Sequence, residues 1–118
     1  MADMEERVEL NYLLDFYGPL LTAHRQELLR LYCEEDLSQQ EIAEQLSITR
    51  QGVFDAIAKS KKQLTDYERK LGLVARYREQ SAAARQCLEA LDRLRPAPED
   101  APLMDEARQA LERVIRDR

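Results

Sequence analysis

The chain is expected to fold as an all-α protein: a helix-turn-helix domain with a long helical extension behind it. Three observations predict this. Its 118 residues are 35% charged and only 6% aromatic, with three Gly and four Pro, and the rest is rich in Leu, Ala, Glu, Arg and Gln. Apolar residues recur three and four positions apart along most of the chain. Residues 37–57, Leu-Ser-Gln-Gln-Glu-Ile-Ala-Glu-Gln-Leu-Ser-Ile-Thr-Arg-Gln-Gly-Val-Phe-Asp-Ala-Ile, spell two short helices around a tight turn.

The first helix is predicted over 5–17, with Leu10, Leu13, Leu14 and Tyr17 on one stripe. Gly18-Pro19 ends it. Thr22 is the cap of a second helix running to about Glu34, whose apolar faces are Leu28, Leu29, Leu31 and Tyr32. Glu34-Glu35-Asp36 is an acidic connection.

Ser38 and Glu41 form a capping box, in which each side chain satisfies the other's free backbone amide. The third helix then buries Ile42, Ala43 and Leu46. Ala43 has to be small because the next helix crosses close above it. Ser47-Ile48 is the turn, at a place where such turns often carry Gly, and Ile48 points into the shared core. Thr49 caps the fourth helix, which buries Val53, Ala56 and Ile57. It leaves Arg50, Gln51, Gly52, Phe54, Asp55, Lys59 and Lys62 on its open faces. A helix of this kind is of a size to enter a DNA major groove. Gly52 costs roughly 1 kcal/mol there relative to Ala. Phe54 is expected to be half-buried against the first helix, with a thymine methyl or a protein partner as its other possible contacts.

The stripe continues through Ser60, Leu64, Tyr67, Leu71, Val74 and Arg78, and a similar one runs on through Tyr77, Ala84, Leu88, Leu91 and Leu94, like a shifted and impure heptad seam. Gly72 either breaks this helix or only weakens it. The seam packs on the protein's own helices or on a second copy. Pro96–Pro102 is a stiff connection, and Asp100 is the expected cap of a last helix over 103–117 with Met104, Ala107, Leu111 and Val114 on one face. The predicted organisation is a helix-turn-helix domain over 1–72 and a helical extension over 73–118, a candidate dimerisation element.

The formal net charge is −5, unusual for a protein that meets a polyanion. Its distribution is uneven. Residues 1–36 carry three basic and nine acidic groups, whereas residues 50–70 carry six basic and three acidic. The positive excess falls on the predicted recognition helix. Arg50 and Gln51 are placed to meet base edges, Arg pairing with guanine and Gln with adenine. Gln40, Thr49, Lys59 and Lys62 are placed to hold phosphates. If structured RNA were the ligand, the strip Lys59, Lys61, Lys62 would carry more of the contact.

No nucleophile-and-base set, phosphate loop or metal-ligand spacing occurs, so an enzyme, a cofactor and a metal are not expected. Cys33 and Cys87 are expected to be small buried hydrophobes. His24 is a structural or surface residue. No apolar run reaches membrane-spanning length and no signal peptide is evident, so a cytoplasmic location is expected.

The segment Leu10-Asn11-Tyr12-Leu13-Leu14-Asp15-Phe16-Tyr17 resembles the YlxM family of small bacterial helix-turn-helix proteins. Leu20–Ala23, Asp36–Ser38, Glu41–Glu44, Arg50-Gln51 with Val53–Asp55, and Tyr67–Leu73 fit the same pattern, covering about the first two thirds of the chain. Gly52 departs from the Ala expected in that family. The resemblance implies an all-α fold similar to sigma factor region 4, a DNA-binding regulatory role and plausible homodimers. It also implies a role in the signal recognition particle (protein targeting) pathway, because the family's genes lie beside that of the particle's GTPase. The competing reading is an adaptor that binds signal recognition particle RNA or protein without reading DNA.

Overall fold

A computed structural model describes residues 4–116. They form six α-helices and two 3-10 turns, with no strand among the described residues. The helices are α1 (Met4–Tyr17), α2 (Ala23–Cys33), α3 (Gln39–Leu46), α4 (Arg50–Leu71), α5 (Leu73–Asp92) and α6 (Ala101–Arg116). The chain divides into two compact units, Met1–Val74 and Ala75–Arg118.

The first unit holds the core. Leu10, Leu13, Leu14 and Tyr17 of α1 pack with Leu28, Leu29, Leu31 and Tyr32 of α2, Ile42 and Ala43 of α3, and Val53, Ile57 and Leu64 of α4. The predicted stripes therefore face one another. Removing a Leu-sized side chain from water contributes roughly 1.5–3 kcal/mol, so this interdigitated set is the main stabilising term. Thr22 caps α2 by accepting from the Arg25 amide.

α1 and α4 run parallel. Lys61 donates to Glu6 at 3.1 Å near the start of α1, and Tyr17 donates to Glu68 at 2.6 Å at its end. On the other side of α4, Arg25 of α2 donates to Gln63 at 3.1 Å, and Gln63 donates to the Tyr67 hydroxyl.

Gly72 breaks the long helix. Its φ of 65° is left-handed, and its amide donates to the Glu68 carbonyl as a helix-ending bond. A continuous seam from Val53 to Leu94 is therefore excluded. Its first part, Val53, Ile57, Ser60 and Leu64, is buried in the protein's own core.

In the second unit α5 and α6 run antiparallel. Tyr77 donates to the Ile115 carbonyl, and Arg108 pairs with Asp92 at 2.6 Å. The last helix starts earlier than expected, at Ala101, directly from a 3-10 turn over Pro98–Asp100. Asp100 is a member of that turn rather than the expected cap; Pro98 fixes the backbone for a helical start two residues sooner. The expected helix end at 117 lies outside the described residues. Cys33 is half-buried beside the core, as its composition suggests, but Cys87 is exposed. The stripe on α5 covers one face only, and Cys87 lies off it.

Candidate nucleic-acid interface

The helix-turn-helix is held together by local hydrogen bonds that its sequence spells out. The Ser38 hydroxyl accepts from the Glu41 amide at 3.1 Å, and the Glu41 carboxylate accepts from the Ser38 amide at 3.1 Å. Both halves of the capping box are thus present. At the other end of α3 the Ile48 amide reaches back to the Ala43 carbonyl at 3.0 Å, and the Ser47 amide reaches the Glu44 carbonyl. This is a Schellman closure, and it requires a left-handed residue at its centre. Ser47 occupies that place with φ 57°, ψ 44°. The turn thus keeps the backbone of a glycine turn without a glycine.

Thr49 starts α4, its hydroxyl accepting from the Gly52 amide at 2.9 Å. A Cβ on Gly52 would lie 3.1 Å from that hydroxyl oxygen and near nothing else. The missing side chain leaves room for the cap.

Helical geometry then sorts the residues of α4. At 100° per residue, Gln51, Asp55, Ala58 and Lys62 fall on one line, opposite the buried Val53, Ile57, Ser60 and Leu64. Arg50 and Phe54 stand one turn apart on the flank. Thr49, Arg50 and Gln51 gather at the exposed N-terminal end of the helix. Lys59 and Lys62 are exposed but about 13–18 Å further along its axis, at 1.5 Å per residue. Gln40 is exposed on α3, its amide donating to Glu44 at 2.9 Å. The helix N-terminus adds a partial positive charge to its end of the surface.

Three expectations change. Phe54 is not half-buried against α1: it is 54% exposed. The reason is where α1 lies. Its hydrogen bonds to α4, at Lys61 and Glu68, lie about two and four turns beyond Phe54, and the ring stays exposed near the start of α4. Lys61 is no part of an open basic strip: it pairs with Glu6 and stands 5.7 Å from the Tyr32 ring centre. Asp55, treated from the sequence as one more open residue, engages a predicted base reader: Gln51 donates to it at 3.0 Å. The i,i+4 spacing of Gln and Asp was the available signal.

Comparison with known proteins agrees with this geometry. The model of the UPF0122 family, described as "Putative helix-turn-helix protein, YlxM / p13 like", matches residues 4–100. A UPF0122 protein of Desulforamulus reducens is 44% identical over 89 residues, covering 75% of this chain and 76% of the relative. One from Acetivibrio thermocellus is 38% identical over 115 residues, covering 95% and 98%. One from Clostridium acetobutylicum is 48% identical over 75 residues, covering 64% and 65%. With its two caps, its left-handed turn and these relatives, the chain belongs to the UPF0122 family of helix-turn-helix proteins.

Proposed function

We propose that this protein is a cytoplasmic DNA-binding regulator whose α4 enters the major groove of duplex DNA. The observation that carries the reading is the exposed face of the first two turns of α4, capped at Thr49 and formed by Arg50, Gln51, Phe54 and Asp55. Arg50 and Gln51 meet base edges there, while Gln40, Thr49, Lys59 and Lys62 contact phosphates and set the register. The net charge of −5 predicts modest affinity that falls steeply with salt.

The test is selection from a random duplex pool at near-physiological salt. An enriched sequence supports the reading, and Arg50→Ala with Gln51→Ala should then relax its preference. Lys59→Glu with Lys62→Glu should abolish binding to every duplex. No enrichment by the wild-type protein sinks it.

The second unit is the proposed dimerisation element. Leu94, Leu103 and Val114 are exposed, and no residue of α6 is buried. A two-helix hairpin of this size buries too little to close its own core, and a second copy would bring two α4 ends to paired half-sites. Leu88→Asp with Leu91→Asp should give monomers in sedimentation.

The resemblance suggests the signal recognition particle pathway as the setting for regulation. A second reading, an adaptor for that particle's RNA or protein, is favoured by one feature: the acidic Asp55 and the exposed Phe54 both stand on the open end of α4. Under this reading the charge reversals at Lys59 and Lys62 leave a pure protein contact intact.

A further inference from the structure

We propose that Phe54 is a specificity-determining residue that selects a base carrying a 5-methyl group, which in unmodified duplex DNA is thymine. The inference rests on the DNA reading above and deepens it.

Two rows of side chains cover the open end of α4. In one, Gln51 and Asp55 are tied to each other by a 3.0 Å hydrogen bond. In the other, Arg50 is followed one turn later by Phe54, 54% exposed. The polar row is held in place by its own pairing. The Phe54 ring is left mostly exposed, and the Lys61–Glu6 tie between α4 and α1 lies about two turns further along the helix. An exposed ring is costly in water, and its place one turn above Arg50 puts it beside whatever Arg50 meets.

The chemistry of the groove then limits what the ring can meet. Base edges present hydrogen-bond donors and acceptors at every pair, and their apolar feature is the thymine methyl. A ring pressed on a donor or acceptor takes that group from water and returns no bond, which is unfavourable. A ring pressed on the methyl removes apolar surface from water on both sides. Selection at that base pair follows from the difference.

The experiment uses the full chain, the Phe54→Ala and Phe54→Leu variants, and the duplex that the wild type enriches. Each thymine is replaced in turn by uracil, which lacks only the methyl. At one position uracil should weaken wild-type binding about fourfold, the equivalent of one buried carbon. The same replacement should leave Phe54→Ala unaffected, and Phe54→Leu should keep part of the penalty. Melting temperatures of both variants should match the wild type, because the ring is outside the core. Equal uracil penalties in wild type and Phe54→Ala overturn the inference alone and leave a protein contact as the role of the ring. Failure of the wild type to enrich any duplex overturns the DNA reading and this inference with it.

Discussion

The Tyr17 hydroxyl donates a 2.6 Å hydrogen bond to Glu68, fifty-one residues away, and accepts one of 3.1 Å from the Leu73 amide. The same Glu68 oxygen accepts from the Val74 amide at 3.0 Å. Two backbone donors at the start of α5, which no earlier turn of helix can satisfy, thus end on a tyrosine from α1 and a glutamate from α4. The arrangement locks the left-handed Gly72 junction to the core. Tyr17→Phe removes the central hydroxyl and strands the Leu73 amide. The expected cost is about 1–3 kcal/mol in urea unfolding; a loss under half a kcal/mol would show that the clasp is dispensable.

The turn of the helix-turn-helix yields a stabilising substitution. Ser47 holds a left-handed backbone, which costs a residue with a Cβ about 1–2 kcal/mol. Ser47→Gly should therefore raise stability, by about 0.5–1 kcal/mol after the greater flexibility of the unfolded glycine is counted. Asp36 is also left-handed, but its carboxylate pairs with Arg7. Asp36→Gly should gain less, because it gives up that ion pair. Equal gains at the two sites would contradict this account.

Thr49 and Gly52 are coupled through the cap. Thr49→Ala should cost about 1 kcal/mol. Gly52→Ala should gain less than the roughly 1 kcal/mol of helix propensity, because its Cβ would crowd the Thr49 hydroxyl at 3.1 Å. In a Thr49→Ala background the full gain should appear. A double-mutant cycle measures the difference, and strict additivity would remove the crowding from the explanation.

The two thiols should differ sharply. Burial is the main cause that pushes the Cys33 thiol up to about 11, against a weaker opposing pull from Arg7 and Lys61. Cys87 is exposed. At pH 8 iodoacetamide should modify Cys87 within minutes and Cys33 only slowly, with the Cys33 rate rising towards pH 11. A raised folded-state value means that the fold holds its proton more tightly than the unfolded chain. The stabilising contribution is then complete below about pH 9 and lost as pH rises towards 11. Tyr17, raised above 10.0 chiefly by burial and then by its bond to Glu68, has the same sign: its contribution falls away above pH 10. Alkaline melting curves should show both losses, and Tyr17→Phe should lack the later one.

Ser60 is fully buried in α4 with no hydrogen-bond partner for its hydroxyl. A buried hydroxyl left unpaired is unfavourable. Ser60→Ala should be neutral or stabilising by up to about 1 kcal/mol in thermal unfolding. A loss of more than 1 kcal/mol would mean that the hydroxyl is bonded in solution.

Much of this protein is determined locally. The capping box at Ser38 and Glu41, the Thr22 and Thr49 caps and the core stripe Leu10, Leu13, Leu14, Tyr17 are set by residues three or four apart, the distance over which a helix hydrogen-bonds and presents one face. The helix-turn-helix was therefore legible from its sequence alone. The tertiary structure decided what depends on which helices become neighbours. It diverts Lys61 to Glu6 across fifty-five residues, turns Glu68 into an anchor for Tyr17, and leaves Phe54 in the open. Periodicity names the face that a side chain occupies. Only the packing of distant segments decides whether that face is covered, and by which partner.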